Sequence, residues 1–320
     1  MTSVRSQYGN RTTIPVRTRR FDAVVEPNDR LTLYDLGKSA LNLFLYTSAY
    51  LALVAVAEVV IVTELLSLPL TAAPAVAGLL TFAVYGNDRI SDLETDAVSA
   101  PRRTAYVRRY KDILYVLAAL SYGLAVALAV LGGPLAFALS LLPGAIWLLY
   151  AQDWLPSIGT NVRRLKEVAV LSSALVAGAW ALVIVFLPLA FAGASLTPAA
   201  GIVFLFFFLA TFVNTEIPNV RDMEGDRQIG VDTLPTLFGV RRTRHLLYGI
   251  CVLTAVILGG AVAADLLSPV SAGVLVLSLA CLAAVTFCLG RVDDEDGLSI
   301  AAECTRLPAL LLVALTLLGH

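Results

Sequence analysis

The sequence predicts an all-α polytopic membrane protein with nine transmembrane helices. Three observations predict it. The chain is 58% hydrophobic and 15% charged, where a soluble domain carries about 25% charged residues. Its apolar residues come in blocks of about 20, the length needed to cross a bilayer core. Its lysines and arginines sit in alternate connections between those blocks.

Residues 1–37 are polar and rich in arginine (Arg5, Arg11, Arg17, Arg19, Arg20, Arg30). No apolar run follows at the distance a cleaved signal needs. They read as a disordered cytoplasmic tail, ahead of a transmembrane domain over 38–320. The apolar segments run 39–66, 69–86, 112–132, 134–151, 168–192, 196–217, 243–265, 268–290 and 299–318. Each is expected to be helical, because lipid offers no partner to open backbone groups. Pro69, Gly132-Gly133-Pro134, Gly193 and Ser268-Pro269 punctuate short turns. The longer polar connections are 87–111, 152–167, 218–242 and 291–298.

Of the 23 Lys and Arg, all but Arg306 lie in the tail, in those four connections or at their borders. The positive-inside rule therefore puts the N-terminus and the long loops in the cytoplasm, with the C-terminus on the opposite side. The net charge of -1 and the lack of any nucleic-acid motif leave no case for a nucleic-acid partner. Cys251, Cys281, Cys288 and Cys304 lack metal-type spacing and read as free thiols in apolar surroundings. With only His245 and His320, a histidine-held metal is not expected.

The second segment runs into Asp88, Asp92, Glu94 and Asp96; the sixth runs into Asp222, Glu224 and Asp226. The strings DLETD (92–96) and DMEGD (222–226) echo one another. Four spans separate their helices, so both emerge on one face. Residues four apart lie on one side of a helix, about 6 Å apart along its axis. Asp88, Asp92 and Asp96 are thus expected to form one acidic stripe, and Asp222 and Asp226 another. Like charges this close repel, and a divalent cation would relieve them. Carboxylate donors suit Mg²⁺, held by one or two of them and by substrate phosphates. The bland alternative, solvated helix ends, accounts less well for two such clusters beside basic residues.

With these motifs the chain resembles the UbiA superfamily of intramembrane prenyltransferases. The further residues carrying the likeness are Pro101 and Arg103 after Asp96, then Glu224-Gly225-Asp226-Arg227, Gly230 and Thr233-Leu234-Pro235. Tyr150 and the run Arg163-Arg164-Leu165-Lys166 stand between the fourth and fifth segments. The sequence also departs from the family pattern. Asp88 stands where its first asparagine is expected, with Asn87 one residue early. Pro218 stands four residues before Asp222 in place of an aspartate, making Asn219 the nearest oxygen donor, and Thr104 replaces a proline.

The resemblance implies a nine-helix UbiA-like bundle around a central cavity open to lipid. It implies Mg²⁺-dependent transfer of a prenyl group from a prenyl diphosphate, geranylgeranyl diphosphate being one candidate, to a lipophilic acceptor. The implied metal ligands are Asp88, Asp92, Asp96, Asn219, Asp222 and Asp226. Arg103, Lys166 and Arg227, ahead of Arg102, are the implied diphosphate clamps. Asp92 is the implied base, and Tyr85, Tyr150 and Trp180 the aromatic walls, Tyr150 foremost. Family acceptors are quinone precursors, glyceryl lipids, tetrapyrroles and carotenoids, and the sequence does not choose among them.

Two competing readings remain open at this level. A transporter or channel would use Glu58 and Glu303, with Arg306 as their partner or, more blandly, as an i,i+3 partner of Glu303. A scaffold without activity would follow from the Pro218 departure. The acidic run Asp293-Asp294-Glu295-Asp296 reads as a solvated turn.

Overall fold

A computed structural model describes residues 33–94, 97, 100–151 and 171–318. Among them every regular element is helical. In chain order these are α1 (Leu33–Tyr46), α2 (Ala49–Leu65), α3 (Ala73–Ser91), α4 (Pro101–Arg109), α5 (Lys111–Ala129), α6 (Gly133–Ala151) and α7 (Leu171–Ala192). There follow α8 (Pro198–Ile229), α9 (Leu234–Ala263), α10 (Pro269–Cys288), α11 (Glu295–Glu303) and α12 (Leu307–Leu318). Short 3-10 turns, Val130–Gly132 and Cys304–Arg306, join α5 to α6 and α11 to α12. The expected tail, 1–37, and the loop 152–167 fall almost wholly outside the described residues.

Among the described residues, six stretches are long and apolar enough to cross a membrane: 111–148, 172–192, 198–228, 234–263, 269–288 and 295–315. The first contains both α5 and α6. Helix α2, with 17 residues, and α3, with its polar end, fall short of that measure. Together the stretches mark an integral membrane protein.

Several boundaries differ from expectation for local reasons. The first segment breaks at Ser48, whose φ of 63° is left-handed. Its hydroxyl accepts from Arg89 Nε at 3.3 Å. The connections expected at 87–111 and 218–242 are largely helical. Helix α4 opens on Pro101, a residue suited to a first turn. Helix α8 continues to Ile229 and stops at Gly230, which takes the left-handed cap conformation (φ 73°). Helix α9 restarts with Thr233 as its N-cap, Pro235 in the first turn, and a 2.6 Å bond from Thr233 N–H to Thr236 Oγ1. Gly230, Thr233 and Pro235 thus serve as a helix stop and start.

The run at 293–296 is also more than a turn. Asp294 caps α11 by accepting from Gly297 N–H at 2.9 Å, and Glu295 and Asp296 fill its first turn, where acids are favoured.

Packing follows the logic of lipid-embedded bundles, in which small residues let helices approach. Ala118, Ala125 and Ala129 of α5 are fully buried, and α5 packs against α3. Across α2 and α3, a Cβ on Gly78 would come within 2.7 Å of Val56 Cγ2 and 3.2 Å of the Ala52 carbonyl oxygen. The core is filled by Phe206, Phe207, Ile217, Leu80, Leu187 and Leu247. Outward faces remain apolar: Ile113, Val116, Leu120 and Leu124 of α5 are all exposed. A contiguous apolar face of this kind needs a nonaqueous neighbour.

Candidate active site

The two acidic motifs stand at the same end of the bundle. Helices α3 and α8 both line one cavity, through Thr81 and Tyr85 on α3 and Thr211 and Asn214 on α8. Both then run on towards their acidic residues. Beyond the cavity, Arg89 of α3, Arg103 of α4 and Arg221 of α8 all come within electrostatic reach of Glu303. Parallel exit from one cavity is what a shared headgroup site requires.

The first motif sits on a helix end. Asp88 lies within α3, but the helix closes at Ser91 and Asp92 is its C-cap, with its N–H bonded to the Asp88 carbonyl at 3.0 Å. The expected continuous stripe Asp88–Asp92–Asp96 therefore stops being helical at Asp92, and Asp96 lies outside the described residues. Leu93 turns inward here and packs with Val107 and Leu114.

The second motif lies within a continuous helix. Pro218 is inside α8, and the helix passes through it. Asp222 and Asp226 share a face as expected, and Asp226 is within electrostatic reach of Asp222 and Glu216. Asp222 is clasped by its neighbour. Arg221 Nε donates to Asp222 Oδ1 at 2.9 Å and Arg221 Nη2 to Oδ2 at 2.7 Å. Its Nη1 also pairs with Asp296 of α11 at 3.2 Å. Asn219 donates its amide to Glu216 Oε2 at 3.1 Å, which leaves its Oδ1 as the potential metal donor.

The remaining candidates fall into three groups. Arg103 lies on α4 and faces the interior of this end. Arg227 is half-exposed and 3.7 Å from Glu224, one turn earlier, on the outer face of α8. Tyr150 closes α6, and Lys166 lies outside the described residues. Tyr85 and Trp180 stack with centroids 5.8 Å apart at 14° and form a wall of the cavity. All four cysteines are free.

Sequence reasoning passed over one polar feature. Glu216 is fully buried, one turn inside Asn219 and close to Asp226. An isolated carboxylate in the apolar run 201–217 was the available signal, because an ionisable group there is expensive without a task. The structure also chooses between the partners the sequence offered for Arg306. Arg306 Nε meets Glu58 Oε1 at 2.9 Å and Arg306 Nη2 donates to Thr211 Oγ1 at 3.1 Å. Glu303 instead accepts from the Tyr50 hydroxyl at Oε2. The i,i+3 pairing of Arg306 with Glu303 is thus replaced by one across helices.

Hard oxygen donors suit a divalent cation, and the repulsion between Asp226 and Asp222, one turn apart, is one such an ion would relieve. Among the described residues no three acidic, histidine or cysteine side chains converge on one point. The Arg221 clasp explains part of this, since it holds both oxygens of Asp222.

The profile of the UbiA prenyltransferase family matches residues 39–302. The chain belongs to that family. No curated protein sequence matches it. Among solved structures, a UbiA homologue from Aeropyrum pernix K1 aligns with a TM-score of 0.62 at 17% identity, over 84% of this chain and 97% of that one. A UbiA homologue from Archaeoglobus fulgidus, bound to GPP and Mg2+, aligns with a TM-score of 0.57 at 13% identity, over 85% and 99%. A structure of digeranylgeranylglyceryl phosphate synthase aligns with a TM-score of 0.55 at 15% identity, over 87% and 97%. At these identities the UbiA member shares the fold of those proteins.

Proposed function

We propose that this UbiA-family protein transfers a prenyl group from a prenyl diphosphate to a lipophilic acceptor within the membrane, with Mg²⁺ at the acidic motifs. The observation that carries the reading is that both motif helices line one cavity, with Arg89, Arg103 and Arg221 within electrostatic reach of Glu303 in its wall. The Archaeoglobus relative with GPP and Mg2+ supports it by analogy. In this reading the chain crosses the membrane nine times, with α2, α3 and α5–α10 and α12 as the crossings. The N-terminus and the site face the cytoplasm, and the C-terminus the other side, because the cations cluster at the motif end.

Asp88, Asp92 and Asp96 on one side and Asn219, Asp222 and Asp226 on the other would hold the metal. When bound, Mg²⁺ neutralises charge developing on the diphosphate leaving group. Arg103 and Lys166 add fixed positive charge where that group departs, with Arg227 further out. Arg221 engages one lone pair on each oxygen of Asp222 and so competes with the metal for it. Beneath the headgroup, the Tyr85–Trp180 stack excludes water and presents π faces to the allylic cation as its C–O bond breaks. Tyr150 is assigned the same role. The prenyl tail then lies among apolar helix faces, reached from the bilayer.

The deep Glu58–Arg306 pair is what a transporter would also carry, but here Glu58 of α2 and Arg306 of the 3-10 turn before α12 engage each other. The test is purified protein in lipid with Mg²⁺, labelled geranylgeranyl diphosphate and a panel of acceptors. Labelled product that disappears on chelation and in both Asp92→Ala and Asp222→Ala is expected. Retained activity in both variants would remove the site assignment, and flux of diphosphate or cation into protein-free lumen without product would favour the transporter.

A further inference from the structure

A buried carboxylate stands at the root of the second acidic motif. Glu216 is fully buried. Glu216, Asn219, Asp222 and Asp226 follow one another on α8 at intervals of three and four, so each is the helical neighbour of the next. The carboxylate also stands where three helices meet. The Ser173 hydroxyl of α7 and the N–H of Leu234, the first residue of α9, face it together with Asn219 of α8. One of its oxygens is engaged: Oε2 accepts from Asn219 Nδ2 at 3.1 Å. Among the described residues Oε1 completes no hydrogen bond.

This is a costly arrangement. An ionisable group within an apolar membrane helix is expensive, and a buried oxygen short of donors adds to the cost. An apolar side chain of similar length would fill the joint more cheaply. Packing alone therefore gives no reason for an acid here.

What the acid does is settle a choice that Asn219 cannot make for itself. An amide has a donor prong and an acceptor prong of nearly the same shape. Turned one way, Asn219 offers Oδ1 to a cation; turned the other, it offers N–H groups and repels it. A carboxylate accepts, so Glu216 takes Nδ2 and would repel Oδ1. Oδ1 is thereby left for the side of α8 that also bears Asp222 and Asp226. Resting on the reading of a metal at the acidic motifs, we infer that Glu216 is a positioning residue, which holds Asn219 with its oxygen towards the metal. Through its approach to Ser173 and Leu234 it also keeps that amide in register with α7 and α9. Glu216 itself touches neither metal nor substrate. Outer partners that orient metal ligands act in this way.

The test follows binding apart from catalysis. The full chain in lipid receives labelled geranylgeranyl diphosphate without any acceptor, and chelation-sensitive retention of label is titrated with Mg²⁺. Thermal unfolding of the ligand-free protein is measured alongside. Glu216→Met is expected to raise the Mg²⁺ concentration for half-maximal retention roughly tenfold or more, the scale of a lost outer partner. Its unfolding temperature is expected to match or exceed that of wild type, since a buried polar cost is removed. Glu216→Gln is expected to give a smaller rise, because a glutamine can meet either prong of Asn219 and leaves its choice half open. Asn219→Ala is expected to raise the Mg²⁺ requirement too. Adding Glu216→Met to it is expected to change little further, because no amide is left to orient.

An unchanged Mg²⁺ requirement in Glu216→Met, or effects that simply multiply with those of Asn219→Ala, would overturn the inference and leave the metal reading in place. If Glu216→Met does not fold, Glu216→Gln decides, and an unchanged requirement there would overturn it. Wild-type protein that retains no label in a chelation-sensitive way would overturn the underlying reading and this one together.

Discussion

The two acidic motifs read almost alike, yet the protein builds them differently. In DLETD the helix ends as the motif begins: Asp92 is the C-cap of α3, and Leu93 turns into a small apolar cluster. In DMEGD the helix runs through the motif for more than a turn before Gly230 stops it, and Arg221 holds Asp222 by both oxygens. The first arrangement leaves Asp92 where the helical hydrogen bonding of α3 ends. The second sets Asp222 and Asp226 within a continuous helix and engages one of them with Arg221. An internal echo in sequence thus repeats donor chemistry while backbone setting and competition differ. In the proposed site, the second motif would supply the more firmly positioned donors.

That contrast can be broken most severely at Asp222. Asp222→Ala removes the rigid donor and is expected to lower prenyl transfer roughly 10²–10³-fold, the scale of a lost preorganised charge contact. If Asp92→Ala lowers transfer far more than Asp222→Ala in steady-state assays, the division of labour is reversed. A smaller effect comes from the clasp. Arg221→Ala frees both oxygens of Asp222, so the Mg²⁺ concentration for half-maximal activity should fall by roughly threefold to tenfold, with about 1 kcal/mol or less lost from the exposed link to Asp296. An unchanged Mg²⁺ titration would mean the clasp does not compete.

Pro218→Asp is expected to act in the same direction and more weakly, because it adds a carboxylate one turn before Asp222 but also alters the backbone. The titration with Mg²⁺ checks it. Without changing any residue, amide hydrogen exchange should be faster over 88–94 than over 219–227, and Mg²⁺ with a prenyl diphosphate should protect the first stretch more. Equal protection would remove the contrast between a helix end and a helix interior. The smallest effect is expected at Asp294→Ala, where loss of the α11 cap costs about 1 kcal/mol in thermal or denaturant unfolding and loosens Asp296 from Arg221.

Much of this was legible in the residues. The apolar blocks fixed the helical class, and the DLETD and DMEGD strings located the acidic ends. Gly230 and Thr233-Leu234-Pro235 announced a stop and a start, because each is a residue type demanded by local backbone geometry. The extent of α8 was not legible, since a proline and a charged string normally argue for a loop. Packing of α11 and α9 against α8 sustains it. The helix α4, within a connection taken as polar loop, was hidden by its arginines, whose charges disguise the buried face made by Thr104 and Val107.

By itself, the sequence determined that this protein is a membrane-embedded helical bundle of the UbiA kind with acidic motifs on two helices, because hydropathy and motif spacing are properties of the chain read in order. Only the tertiary structure decided which charges meet. Arg306 lies three residues from Glu303 yet pairs with Glu58, and Asn214 meets Tyr85, Trp180 and Glu303 only as walls of one cavity. Buried charges choose partners by desolvation and direction in three dimensions, and nearness along the chain does not settle that choice.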